Sequence, residues 1–176
     1  MNRRKLLALC GLAAGSTLLS GFGRKSDAAE PVGRDAAPFT RLDKPLAVWR
    51  KLLPAAAFGV LFEENTERAF SSPLDDEKRG GTYVCAACFL PLFDAKAKFD
   101  SRTGWPSFFQ PIPKHVGTKE DRFLLVLRTE YHCARCGGQQ GHVFDDGPMP
   151  TGQRWCNNGL ALAFVPAGQP LPPLRT

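Results

Sequence analysis

The chain has 176 residues, 23% of them charged and 43% hydrophobic, with 13 Phe, six Cys and a formal charge of +6. That length accommodates one domain with an extension and a real hydrophobic core. The charge is mostly in residues 1–28, where Arg3, Arg4, Lys5, Arg24 and Lys25 against Asp27 give +4; the +2 left over excludes the electrostatic footprint of a nucleic-acid partner.

The first segment reads as an export signal, with basic Arg3-Arg4-Lys5, a mildly apolar run over residues 6–22, and then Ser26-Asp27-Ala28-Ala29. Two arginines followed by Leu6-Leu7 fit the twin-arginine type, and Gly11, Gly15, Ser16 and Thr17 weaken the apolar run as that route requires. Residues 1–28 are therefore expected to direct the protein to the periplasm. The alternative is an uncleaved anchor in the inner membrane, for which the run falls short of the ~20 apolar residues of a spanning helix. Residues 29–45 lack periodicity and are expected to be a flexible linker.

From Leu46 a helical pattern begins, with Leu46, Trp49, Leu52 and Leu53 on one face. Pro54 ends that helix or opens the next, which continues through Phe58, Leu61 and Phe62. A loop around residues 71–81 leads into a different texture of short strands and tight turns. Strands are predicted at residues 82–84, 90–93, 98–99, 122–129 (RFLLVLRT, the clearest), 141–144, 154–157 and 160–165. This spacing predicts a mainly β domain over residues 46–166, a small antiparallel sandwich or barrel-like fold with short N-terminal helices, followed by a Pro-rich tail over 167–176.

Cys10 leaves with the signal, so five cysteines remain. Four of them form Cys85-Ala86-Ala87-Cys88 and Cys133-Ala134-Arg135-Cys136. Each pair places two thiolates on one tight turn, and two such turns complete a tetrahedral shell for one structural zinc ion per chain. Gly137-Gly138 gives the second turn its freedom. The alternatives are a rubredoxin-like iron site and two redox-active pairs.

Cys156 belongs to no pair. A free thiol is commonly a buried, inert core residue. Its neighbours argue otherwise. Arg154 falls on the same face of a strand and favours thiolate. Asn158 falls there too and can donate to a thiolate or an oxyanion. His142 precedes it across the turn Gly147-Pro148-Met149-Pro150, where it can donate a proton while Asp146 orients the assembly.

Residues 49–164 resemble the type B methionine sulfoxide reductases. The resemblance rests on WRKLL, TERAF, GTYVCAAC, FDSRTGWPSF, CARCGG, GHVFDDGP and RWCNNGLALAF, seven motifs in order. It implies a β-tent-type fold and reduction of the R epimer of methionine sulfoxide in oxidised proteins, with Cys156 as nucleophile. By the same resemblance His142, Asp146, Arg154 and Asn158 are its polar partners, and Trp105, with Phe108 or Phe109, contacts the substrate methyl group. The implied product on the enzyme is a sulfenic acid, the reversible first rung of cysteine oxidation. A thioredoxin-like protein or a small thiol is the implied electron donor, no nucleic acid is implied, and a monomer is expected.

Two positions depart from the family pattern. Thr103 stands where many members carry a resolving cysteine, so direct reduction by an external thiol is expected. Gln139 replaces the first histidine of CGGHLGH, which shifts acid catalysis to His142. Two other classes of function remain at this point: a zinc-ribbon-like binding module without catalysis, and a thiol-disulfide oxidoreductase acting through its CxxC pairs.

Overall fold

The computed structural model describes residues 39–123 and 126–176. The expected export signal, and the linker up to residue 38, lie outside the described residues. No helix among the described residues is long and apolar enough to cross a membrane.

Two short helices open the domain, α1 (Leu46–Leu52) and α2 (Ala55–Phe62). Pro54 separates them: it holds Leu53 extended, at φ −116° and ψ 148°, and then caps α2 without needing an N–H of its own. Arg50 and Lys51 occupy the last turn of α1, where cations complement the exposed carbonyls. Trp49 is 1% exposed and stacks on Phe62 at 5.4 Å, which locks the helices together. α2 lies against the β-domain through Phe58, Val60 and Leu61, all buried.

Among the described residues nine strands follow, in two antiparallel sheets. The smaller sheet has the order β2 (Pro91–Asp94), β1 (Gly81–Cys85), β9 (Leu162–Pro166). The larger runs β3 (Lys98–Phe99), β4 (Ser107–Phe108), β8 (Arg154–Asn157), β7 (Gln139–Phe144), β6 (Val126–Cys133), β5 (Val116–Phe123). Between them sits an aromatic core in which Phe93 stacks on Phe108 at 4.1 Å, Tyr83 meets Phe108 edge-on at 4.9 Å and Tyr131 meets Trp155 at 5.0 Å. Each such ring, once buried, contributes about 1.5–3 kcal/mol of transfer free energy. The mainly β, antiparallel fold with short leading helices is as the sequence predicts.

One strand differs in kind. The apolar run 122–129 is not a single strand; it is divided between β5 and β6, which pair from Val116 opposite Cys133 down to Phe123 opposite Val126. A continuous apolar stretch carries no mark of the reversal inside it, and the charged first half of β5, VGTKEDRF, hid the preceding strand. The described end of the expected flexible linker is held against the domain. Leu42 N–H donates to Arg135 O at 2.7 Å and Phe39 meets His115 edge-on at 5.3 Å, so residues 39–45 lie on the domain. The Pro-rich tail returns to the first CxxC turn, where Arg175 N–H donates to Cys88 O at 3.1 Å and its guanidinium covers Phe89.

Candidate active site and metal centre

Both CxxC motifs are turns of hairpins. Cys85 N–H donates to Leu90 O across the β1–β2 turn, and Cys133 N–H donates to Gly138 O across the β6–β7 turn. The two turns share one geometry: Phe89 N–H reaches Cys85 O and Gly137 N–H reaches Cys133 O, both at 2.9 Å, with φ of +62° and +74°. Glycine meets the second positive φ at no cost; Phe89 meets the first under the cover of Arg175. One turn belongs to each sheet, so whatever joins the turns joins the sheets.

The four sulfurs lie within 4.8 Å of one another, with Cys85 Sγ 3.7 Å from Cys136 Sγ and Cys88 Sγ 3.5 Å from Cys133 Sγ. A tetrahedral ion with metal–sulfur bonds of ~2.3 Å needs sulfurs about 3.8 Å apart, so the donor set fits a single four-coordinate metal. Gln140, fully buried, turns its Nε2 toward Cys85 Sγ at 3.6 Å, a donor suited to a thiolate. It went unread in the sequence, where its neighbour Gln139 drew attention. Gln139 itself lies outside the cavity described next and is 5% exposed.

Cys156 occupies the middle of the larger sheet. It pairs with Ser107 of β4 on one side and His142 of β7 on the other, so His142 and Cys156 stand directly opposite on neighbouring strands and share a face. Gly141 makes that pairing close: a Cβ there would stand 1.9 Å from the carbonyl oxygen of Cys156. Two residues along, Phe144 is opposite Arg154. Arg154 donates through Nε and Nη2 to the two oxygens of Asp146, at 2.8 and 3.0 Å, and lies 4.2 Å over the Phe144 ring. Arg154 in turn holds the Asp146 carboxyl below its ordinary range.

A cavity of about 160 Å³ opens over Cys156, lined by Trp105, His142, Phe144, Arg128, Thr66 and Asn158 among others. Drug-sized ligands fill about 300–1,000 Å³, so this space suits the end of one side chain. A larger groove of about 500 Å³ runs beside α1 and α2, lined by Leu52, Leu53, Ala57, Leu74 and Leu162, and it contains none of the thiols.

The thiol is half-buried, and burial pushes its pKa above that of an ordinary cysteine. Arg154 pulls it back down by charge and hydrogen bonding, as the sequence suggested, and so does the Thr103 hydroxyl; burial outweighs both. In the free protein burial thus favours the thiol form of Cys156 over the thiolate. Thr103 stands where a resolving cysteine is common and favours the Cys156 thiolate through its hydroxyl.

The expected residues divide. Cys156, His142, Asp146, Arg154, Asn158 and Trp105 come together in and around the cavity. Phe108 does not. It is fully buried between Phe93 and Tyr83, because β4 places Ser107 opposite Cys156 and turns the next side chain to the core. Phe144 supplies the apolar wall instead. The alternation His142, Val143, Phe144 could have found it. Asn158 is tied down, accepting from Glu67 N–H at 3.1 Å and donating to Gln140 O at 3.1 Å. One unexpected residue joins the set. His142 Nε2 is 3.0 Å from Asp121 on β5, whose carboxylate also accepts from Arg128 at 2.6 Å; His142 and Arg128 together hold that carboxyl below its usual range.

Comparisons with known proteins agree on one family. The family model described as SelR domain matches residues 53–166. The chain is 46% identical over 127 residues to the peptide methionine sulfoxide reductase MsrB of Pseudomonas entomophila, covering 72% of this chain and 97% of that protein. It is 50% identical over 119 residues to the protein of the same name from Bradyrhizobium diazoefficiens, covering 67% and 86%. It is 47% identical over 115 residues to the chloroplastic peptide methionine sulfoxide reductase B1 of Arabidopsis thaliana, covering 65% and 57%.

Proposed function

The chain belongs to the SelR domain family, and from that premise we propose that it is a peptide-methionine (R)-S-oxide reductase, an oxidoreductase that repairs oxidised methionine residues in proteins. The observation that carries the reading is the direct pairing of Cys156 with His142 at the floor of a small cavity walled by Trp105 and Phe144.

A methyl sulfoxide has an apolar methyl cap and a strongly accepting oxygen. The rings of Trp105 and Phe144 suit the cap. His142, oriented by Asp121, suits the oxygen. Cys156 attacks the sulfoxide sulfur as thiolate, and Arg154 and Thr103 lower the cost of its ionisation. His142 delivers a proton to the oxygen as the S–O bond gives way. The net exchange balances: thiol and sulfoxide become sulfenic acid and thioether, with the thiol proton ending on the sulfenic oxygen. Asp146 fixes the Arg154 guanidinium beside the sulfur through its two-pronged contact.

The other four described cysteines are gathered in the metal cluster. The sulfenic acid is therefore reduced by an external thiol, two equivalents of which yield a disulfide and water. Cys85, Cys88, Cys133 and Cys136 hold one zinc ion, whose chemistry is structural because four thiolates leave it no open position. The twin-arginine-type leader places the enzyme in the periplasm, where it works as a monomer on exported proteins.

The test is turnover of the two epimers of N-acetylated methionine sulfoxide amide, with dithiothreitol as reductant, by the wild type and Cys156→Ser. Reduction limited to the R epimer and lost in the variant is expected. If reduced, zinc-loaded protein consumes neither epimer, the assignment fails and a zinc-ribbon-like binding role takes its place.

A further inference from the structure

The reactive thiol, His142 and Phe144 are fixed by sheet pairing, whereas Trp105 and Asn158 on the substrate-facing wall are bonded to a single residue of an irregular loop. Glu67 follows α2, belongs to no helix or strand, and is 7% exposed. Its two carboxylate oxygens accept separately from Gly159 N–H at 2.6 Å and Leu160 N–H at 2.9 Å, at the start of the short 3-10 helix that follows Cys156, Asn157 and Asn158. Its backbone N–H donates to the side chain of Asn158, and its carbonyl accepts from the Trp105 indole at 3.2 Å. Thr66, the residue before it, lines the cavity. Among the described residues no cation pairs with this acid. Gly159 accommodates the arrangement, since a Cβ there would lie 1.9 Å from Ser72 Oγ and 3.2 Å from Glu67 Oε1.

We infer that Glu67 is a positioning residue of the proposed reaction: its carboxylate straps the loop to the chain after Cys156, and the strapped backbone sets the indole of Trp105 and the amide of Asn158 against the substrate. Two N–H donors need two acceptor oxygens. Glutamine offers one and turns an NH2 toward the second N–H, while aspartate falls one methylene short. The strap acts on the wall and not on the Cys156–His142 pair, so its loss weakens substrate binding more than it slows chemistry. The kinetic half of this inference rests on the function proposed above; the spectroscopic half does not.

The experiment compares wild-type protein with Glu67→Gln and Glu67→Asp, all loaded with zinc. In a proton–nitrogen spectrum the Trp105 indole N–H, assigned by its absence in Trp105→Phe, is expected to move in both variants while those of Trp49 and Trp155 stay. For the R sulfoxide, KM is expected to rise roughly tenfold in Glu67→Gln with kcat within about twofold, and Glu67→Asp to fall between. Should Glu67→Gln not fold, Glu67→Asp reads the same quantities. An unmoved indole resonance in a folded variant overturns the inference, as does a fall in kcat with KM unchanged. If the wild type reduces neither epimer, the proposed function fails, and the indole shift alone decides whether Glu67 holds the wall.

Discussion

Five thiols in the described domain occupy two environments that differ in every physical respect. Four lie on hairpin turns, within 4.8 Å of one another, three of them buried and Cys136 partly so, with the Gln140 amide as an outer donor. The fifth lies in mid-strand beside a guanidinium, a hydroxyl and an imidazole, at the floor of an open cavity. Four thiolates gathered this closely repel one another unless a cation stands between them. A thiol that faces polar side chains and a void is arranged to meet something that arrives. Under the proposed function the first environment supports structure and the second reaction, and each variant below asks whether that separation holds.

The largest effect is expected at the cluster. Structural zinc sites supply about 10–16 kcal/mol of apparent binding free energy, so Cys133→Ser or a strong chelator should abolish the cooperative thermal transition. Cys156→Ser should melt with the wild type and yet have no turnover. A Cys133→Ser protein that melts normally would erase the distinction. Next come the two phenylalanines. Phe108→Ala should cost about 3–5 kcal/mol in a denaturant titration with little change in KM for the folded fraction, because the ring is core. Phe144→Ala, at 36% exposure, should leave the midpoint nearly unmoved and raise KM. A reversal of those two outcomes would mean that the cavity wall has been assigned to the wrong face of the sheet.

Replacement of His142 by Asn should lower turnover by about 10²–10⁴, with the unfolding transition retained. The smallest effect concerns protonation. Burial raises the Cys156 pKa, so thiolate is scarce at neutral pH and grows as the pH rises through the inflection. Alkylation of the zinc-loaded protein by iodoacetamide should therefore accelerate only above the usual thiol range. Arg154 lowers that inflection, and Arg154→Gln should displace it further upward. An inflection that falls in the variant would show that Arg154 does not act on the sulfur.

Much of this arrangement was legible from spacing alone. Two CxxC turns announce a four-thiolate centre whatever the intervening fold, and Pro54 marks the break between two helices. The remainder depends on pairing. RFLLVLRT looks uniform, yet the chain reverses within it, and with that hairpin unread Asp121 had no route to His142. Phe108 and Phe144 are both aromatic and both near site motifs; only the register of β4 and β7 against β8 says which faces the core. Glu67 lies more than 90 positions from the N–H groups it satisfies, and no local pattern connects them.

The sulfur knot also has a topological consequence. Cys88 and Cys133 are 45 positions apart, so a metal between them closes a ring of chain, a constraint that removes about 4 kcal/mol of unfolded-state entropy for a loop of that size. Trp105, Ser107 and Asp121 lie on the ring, while Glu67, His142 and Cys156 lie on the two lengths of chain that leave it. A chain severed between β5 and β6 would be two polypeptides with Cys156 and His142 on one and the Trp105 indole on the other. The metal would still bind them as a single molecule.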